Sequence, residues 1–170
     1  HNECEIAQAE AATHKTFARY WLLTGSLTLD GVKMSKSLGN VLSVSDALKK
    51  YSPEAIRYFI LSSHYSNPID FSDAAIEASA KGLERVLVPV RAVRDRLRTA
   101  TESNDGADFI ATLDGHRAAL KAAMDDNFNA PAAIGVLSQL TTDVNTLLNS
   151  GKPIGKAALD AIDQLYRDYG

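Results

Sequence analysis

Apolar residues recur at two different spacings along these 170 residues, and the change falls near residue 72. Residues 3–13 carry Ala, Glu and Gln with no Gly or Pro, a composition that suits a helix. "FARYWLLTGSLTLDGVKM" then alternates large apolar residues with small polar ones around Asp30-Gly31. That pattern predicts two strands and a hairpin turn. Tyr20 and Trp21 fall in the first strand and are expected to pack into the core. "SVSDALKKY" predicts a short helix capped by Ser43, with Asp46 completing a capping box. In "SPEAIRYFILSSHY", Ser52 is the natural cap of another, and Pro53 takes the first helical position, where its missing N–H costs nothing.

After Ser72 only the helical period remains. Ile76, Ala80, Leu83, Leu87, Val90 and Leu97 form one face of a long helix, and Pro89 is expected to kink it. Residues 108–125 predict a second helix. Pro131 opens a third, with Val136, Leu137, Leu140, Val144 and Leu147 on one side, and residues 156–169 form a last short one. Short connections between amphipathic helices predict an up-and-down bundle. The fold class is mainly α: an α/β remnant, a helix plus a short β-hairpin, followed by a helical bundle. The expected units are 1–44, a connecting helical segment 45–72, and the bundle 73–170.

Composition adds exclusions. No apolar run approaches the length of a membrane span, and no signal peptide is evident. One cysteine, Cys4, allows no internal disulfide. A net charge of −3 gives no global attraction to nucleic acid, so such contact needs a local patch. Arg85, Arg91, Arg94, Arg96 and Arg98 supply one along the first bundle helix; they suit either a solvated, ion-paired face or contact with phosphates. The first residue is His1 rather than methionine, and the chain is expected to be a fragment.

Two stretches carry candidate chemistry. "GVKMSKSLGN" places Lys33 and Lys36 around Met34-Ser35, with Ser37 and Gly39 behind. Two ammonium groups on a glycine-flanked loop can neutralise charge developing on a triphosphate, and serine hydroxyls add donors. A solvated hairpin loop explains the same residues more simply. "HNECE" sets His1 and Glu5 four apart on one helix face, a spacing that can hold zinc but also recurs by chance; Cys4 is a further possible ligand.

The order of residues is more specific than their chemistry. "KMSKS" at 33–37 resembles the signature loop of class I aminoacyl-tRNA synthetases. "EIAQAEAAT", "FARYW", "DGVKMSKSLGN", "YSPEAIRYFILSSHY" and "MDDNFNAPAAIGVL" are similar, in order, to successive blocks of the bacterial cysteinyl-tRNA synthetase family. The resemblance implies the C-terminal edge of a Rossmann-type catalytic domain followed by a bundle that leans on tRNA. It implies ATP-dependent activation of cysteine: the carboxylate attacks the α-phosphate, pyrophosphate leaves, and the aminoacyl group passes to tRNA(Cys). In that family the second loop lysine, here Lys36, stabilises the transition state. Lys33 assists with the phosphates, and Met34, Ser35 and Ser37 shape the loop. His1 and Glu5 match a histidine and a glutamate of the family's zinc site, where the metal binds the substrate thiolate. A soft sulfur ligand there separates cysteine from serine.

The chain departs from the family pattern at three places. Asn2 and Leu23 stand where the family usually has histidines, and Cys4 stands where asparagine is common. The upstream cysteines of the zinc site are not among these residues, so zinc is expected to be lost or loosely held. The expected partners are tRNA(Cys), cysteine and ATP, with no membrane, a monomeric state and a cytoplasmic location. Arg85, Arg91, Arg94 and Arg98 are the candidate tRNA contacts. The "MDDNFNAP" block is expected to be an interhelical turn without catalytic duty. By itself the chain is expected not to form cysteinyl-adenylate. Two alternatives remain: a cysteine ligase of mycothiol synthesis, which "KMSKSLGN" fits less well, and a truncated paralogue serving as a tRNA- or protein-binding module.

Overall fold

The computed structural model describes residues 2–34 and 42–169. In chain order the elements are α1 (Asn2–Thr13), β1 (Leu27–Leu29), β2 (Val32–Lys33), α2 (Val44–Lys50), α3 (Pro53–Leu61), β3 (Ile69–Phe71), α4 (Asp73–Leu97), α5 (Ala107–Asp125), α6 (Ala130–Leu148) and α7 (Lys156–Tyr169). Side-chain caps set several helix starts. Ser43, Ser52 and Ser72 accept from the backbone N–H three residues on, and Asn129 does the same for α6. At α2 the Ser43 hydroxyl also donates to the Asp46 carboxylate, at 2.7 Å.

The hairpin turns on Asp30 and Gly31, both at positive φ (48° and 76°). That geometry matches the right-handed twist of the strands and explains Asp-Gly at this point. β1 pairs antiparallel with β2 and parallel with β3, giving the order β2-β1-β3. Within 45–72, expected as a connecting helical segment, the third strand follows α2 and α3. It spans three residues, too few to show an alternation, and it is a strand because β1 offers it partners. The placing of Tyr20 and Trp21 is corrected. They precede β1 in irregular chain and are 86% and 44% exposed, and Trp21 meets Phe17 with ring centroids 5.8 Å apart.

Two apolar clusters form. The smaller joins Ala47, Ala55, Phe59, Phe71 and Ile76, with Phe59 and Phe71 edge to face at 5.6 Å. The larger fills the bundle, where α4 and α5 each pack against α6 and α7. Its fully buried centre includes Val93, Leu140, Val144, Ile162 and Leu165. α4 runs through the buried Pro89 as one helix of 25 residues. α4 also carries Ile76 into the smaller cluster, so one helix serves both. A strap ties the regions together. Tyr65 donates its hydroxyl to the Asn127 side-chain oxygen at 2.7 Å, and His64 Nε2 lies 3.1 Å from the Asn127 carbonyl. No helix among the described residues is long and apolar enough to cross a membrane.

Candidate functional site

The hairpin delivers the lysine-serine stretch to the surface. Lys33, the last residue of β2, pairs with Thr28 in register and is exposed. Ser35, Lys36 and Ser37 lie outside the described residues. The shoulders of that stretch are described: Met34 and Leu42 are both half-buried and line one apolar pocket of about 100 Å³ with Leu27, Phe59, Ile60 and Phe71. No charged side chain lines the pocket, so it suits anchoring of the two shoulders and not a nucleotide.

Asp70 holds the turn that feeds the loop, a role the sequence did not suggest. Its Oδ1 accepts from the Thr28 hydroxyl at 2.5 Å and from the Gly31 N–H at 2.7 Å. The Thr28 hydroxyl, followed by the Gly31 N–H, holds the Asp70 carboxyl below the ordinary carboxylate range. Its only sequence signal was a lone acid between two apolar residues in "PIDF", which reads as solvated until β3 is known to pair with β1.

The zinc expectation meets few donors. Glu5 and Cys4 are exposed on α1, a helix with no buried residue, and His1 lies outside the described residues. Among the described residues no group of three or more His, Cys, Asp or Glu is placed to hold a metal ion. The residues described do not make a zinc site.

The structure separates the arginines of α4. Arg91 forks onto Glu84 at 2.6 and 3.2 Å. Arg94 and Arg167 share Asp163, at 2.6 and 2.7 Å, and the Asp163 side chain is only 6% exposed. Burial pushes that carboxyl up, but the two guanidinium hydrogen bonds outweigh it and hold it below its ordinary value. Arg96 donates to the Leu148 carbonyl at 2.7 Å, and Arg98 lies 3.9 Å from Asp95. Arg85 has no ion pair or hydrogen bond among the described residues, and it lines a groove between α3, α4 and α6. The "MDDNFNAP" stretch is an interhelical turn, with Asn127 and Phe128 both at φ 53°.

Comparison with known proteins covers most of the chain. Residues 1–81 match the family model of the tRNA synthetases class I (C) catalytic domain, and residues 119–170 match the DALR domain. The chain is 39% identical over 174 residues to a cysteine–tRNA ligase of Bacillus cytotoxicus, across 100% of this chain and 37% of that protein. It is 41% identical over 174 residues to the cysteine–tRNA ligase of Deinococcus radiodurans, across 100% of this chain and 34% of the relative. For that of Lysinibacillus sphaericus the identity is 43% over 150 residues, covering 88% and 32%. The chain thus spans about a third of the length of the curated relatives it matches. Among solved structures, a LeuRS of Agrobacterium radiobacter in a ternary complex with tRNA and LeuAMS superposes with a TM-score of 0.67 at 25% identity. That likeness covers 85% of this chain and 20% of that one.

Proposed function

We propose that this chain, which belongs to the cysteinyl-tRNA synthetase family of class I enzymes, is the part of a cysteine–tRNA ligase that joins the ATP-site signature loop to the tRNA-facing bundle. The observation that carries the reading is similarity to such ligases along the whole chain, with the lysine-serine loop leaving a hairpin inside the catalytic match. The reaction is adenylation of the cysteine carboxylate by ATP with loss of pyrophosphate, then transfer to the tRNA(Cys) ribose. Lys36 stabilises charge on the phosphates in the transition state and Lys33 assists, while Met34, Ser35 and Ser37 set the loop's position. Phosphoryl chemistry of this kind rests on positioning and electrostatics, and a lysine loop supplies both. Residues 1–44 form the catalytic edge, 45–72 the connection, and 73–170 the bundle that meets tRNA. The place of action is the cytoplasm, where translation draws on charged tRNA.

The test is cysteine-dependent ATP–pyrophosphate exchange, measured on the full-length polypeptide and on this chain separately. The full-length protein is expected to exchange, and Lys36→Ala in it to lower kcat about 10²–10³-fold. The chain by itself is expected to be silent, because it spans only about a third of the length of the ligases it resembles. Exchange that needs no cysteine, or none at all in the full-length protein, would overturn the reading. Exchange by the chain alone would overturn its assignment as an incomplete catalytic unit.

A further inference from the structure

The groove beside Arg85 has a volume of about 550 Å³ and runs between α3, α4 and α6. No carboxylate lines it. Its charged wall is α4, where Lys81 lies one helical turn before Arg85 and so shares its face. Neither cation has an acidic partner among the described residues, whereas Arg91 and Arg94 on the same helix are both paired. A guanidinium without a counter-ion beside a carboxylate-free groove suits a phosphate, which it can grip through two N–H donors.

The other walls add a second kind of group. Tyr58 of α3 is half-buried against Gly82 of α4: a Cβ at Gly82 would sit 3.0 Å from the Tyr58 ring, so a side chain there would press the ring away. Burial pushes the Tyr58 phenol up, which keeps its proton available for donation. Neither its hydroxyl nor the Asn145 side chain has a partner among the described residues. On α6 the Ser138 hydroxyl donates to the Ile134 carbonyl at 2.9 Å, and the Thr142 hydroxyl to the Ser138 carbonyl at 3.1 Å. Their hydrogens are turned to the helix, so both oxygens present lone pairs to the groove. Such acceptors suit a sugar hydroxyl.

We propose that this groove is a backbone site for RNA, in which Arg85 and Lys81 hold a phosphate while Thr142 accepts from a neighbouring ribose 2′-hydroxyl and Ser138 offers a second acceptor one helical turn away. The site deepens the tRNA-facing role of the bundle and rests on that reading. It narrows that role to one groove of α4, in which the paired Arg91 and Arg94 have no share. A 2′-hydroxyl accepted by a fixed oxygen also separates RNA from DNA at this point.

The experiment is a binding titration of the full 170-residue chain with a tRNA(Cys) transcript across a salt series, repeated with the same sequence as DNA. Arg85→Gln is expected to weaken RNA binding about tenfold. It is also expected to reduce the slope of log K against log salt by about 0.7–0.9, the equivalent of one phosphate. Arg117→Gln, the same charge change on α5, is expected to leave both unchanged. The pair Ser138→Ala and Thr142→Val is expected to reduce the preference for RNA over DNA while keeping the salt slope. Arg85 is exposed, so its variant is expected to fold, and circular dichroism checks this. The proposal is overturned if Arg85→Gln binds as the parent does, if Arg117→Gln costs as much, or if the groove variants leave the RNA preference intact. A loss of inorganic phosphate binding without loss of RNA binding also overturns it, by assigning the groove to a free anion. If the parent chain binds no tRNA at all, the tRNA-facing reading of the bundle fails with it. A parent that binds while Arg85→Gln matches it sinks the groove alone.

Discussion

The bundle and the strand-bearing region before it are built from chains of similar composition, yet they bury that composition very differently. In the bundle, α7 alone places Leu159, Ile162 and Leu165 at 1% exposure or less. In the first region Phe17, Tyr20, Trp21, Leu22 and Leu23 are all at least 44% exposed, and α1 buries nothing. Helices close their own backbone hydrogen bonds and need only a face to pack, so four of them suffice for a core. A sheet of three short strands leaves edges and faces that other chain must cover. Local sequence is the same kind of material in both places; what differs is whether the partners of each apolar face lie within these residues.

That contrast is open to test, beginning with the bundle. Ile162→Ala, at a fully buried site, is expected to cost about 3–5 kcal/mol, read as a large drop in the thermal midpoint of the helical signal. Phe71→Ala is expected to cost about 3 kcal/mol within the smaller cluster. Its effect should appear as faster hydrogen exchange in β1, α2 and α3, with α5 and α7 left as protected as before. Uniform loss across both regions would mean that they unfold as one unit. Native-state exchange of the parent chain sharpens the same point: 73–148 should be better protected than 3–34, and the reverse order would contradict the comparison.

Smaller effects probe the polar ties. Asp163→Asn leaves Arg94 and Arg167 without a shared carboxylate and is expected to cost about 2 kcal/mol, measured by urea unfolding. The folded Asp163 carboxyl titrates below its unfolded value, so its stabilisation is complete above the ordinary carboxylate pKa. It is lost as pH falls through the lower folded value. Bundle stability should therefore hold down to about pH 4 and decline in stronger acid, with the Asp163→Asn protein showing the shallower decline. Tyr65→Phe removes one strap hydrogen bond and is expected to cost about 1 kcal/mol. Its informative readout is a separation of the two regions' unfolding transitions.

Much of the fold was legible in the residues. Ser43 and Ser52 cap helices where their side chains and spacing said they would, because a cap is a contact across three residues. The hairpin at Asp30-Gly31 was legible for the same reason. β3 was not, since three residues show no period and its partner strand lies about forty residues away. Asp70 was hidden with it: its hydrogen bonds to Thr28 and Gly31 exist only once β3 lies beside β1. The aromatic run of 17–21 misled, because alternation states that a face is apolar without stating what covers it.

The arginines of α4 draw the same line. Their order along the helix was fixed by the chain, and so was the presence of a lysine-serine loop resembling an ATP-site signature. Arg91–Glu84 and Arg98–Asp95 lie within reach along α4 itself, but whether a guanidinium pairs across the bundle was decided by where α6 and α7 came to lie. Asp163 reaches Arg94 from 69 residues away, and the groove beside Arg85 needs three helices to exist. Caps, turns and the period of a helix are short-range and follow from sequence by sterics and hydrogen bonding. Pairing of charges between helices and the walls of a groove are long-range, and only packing brings them within reach.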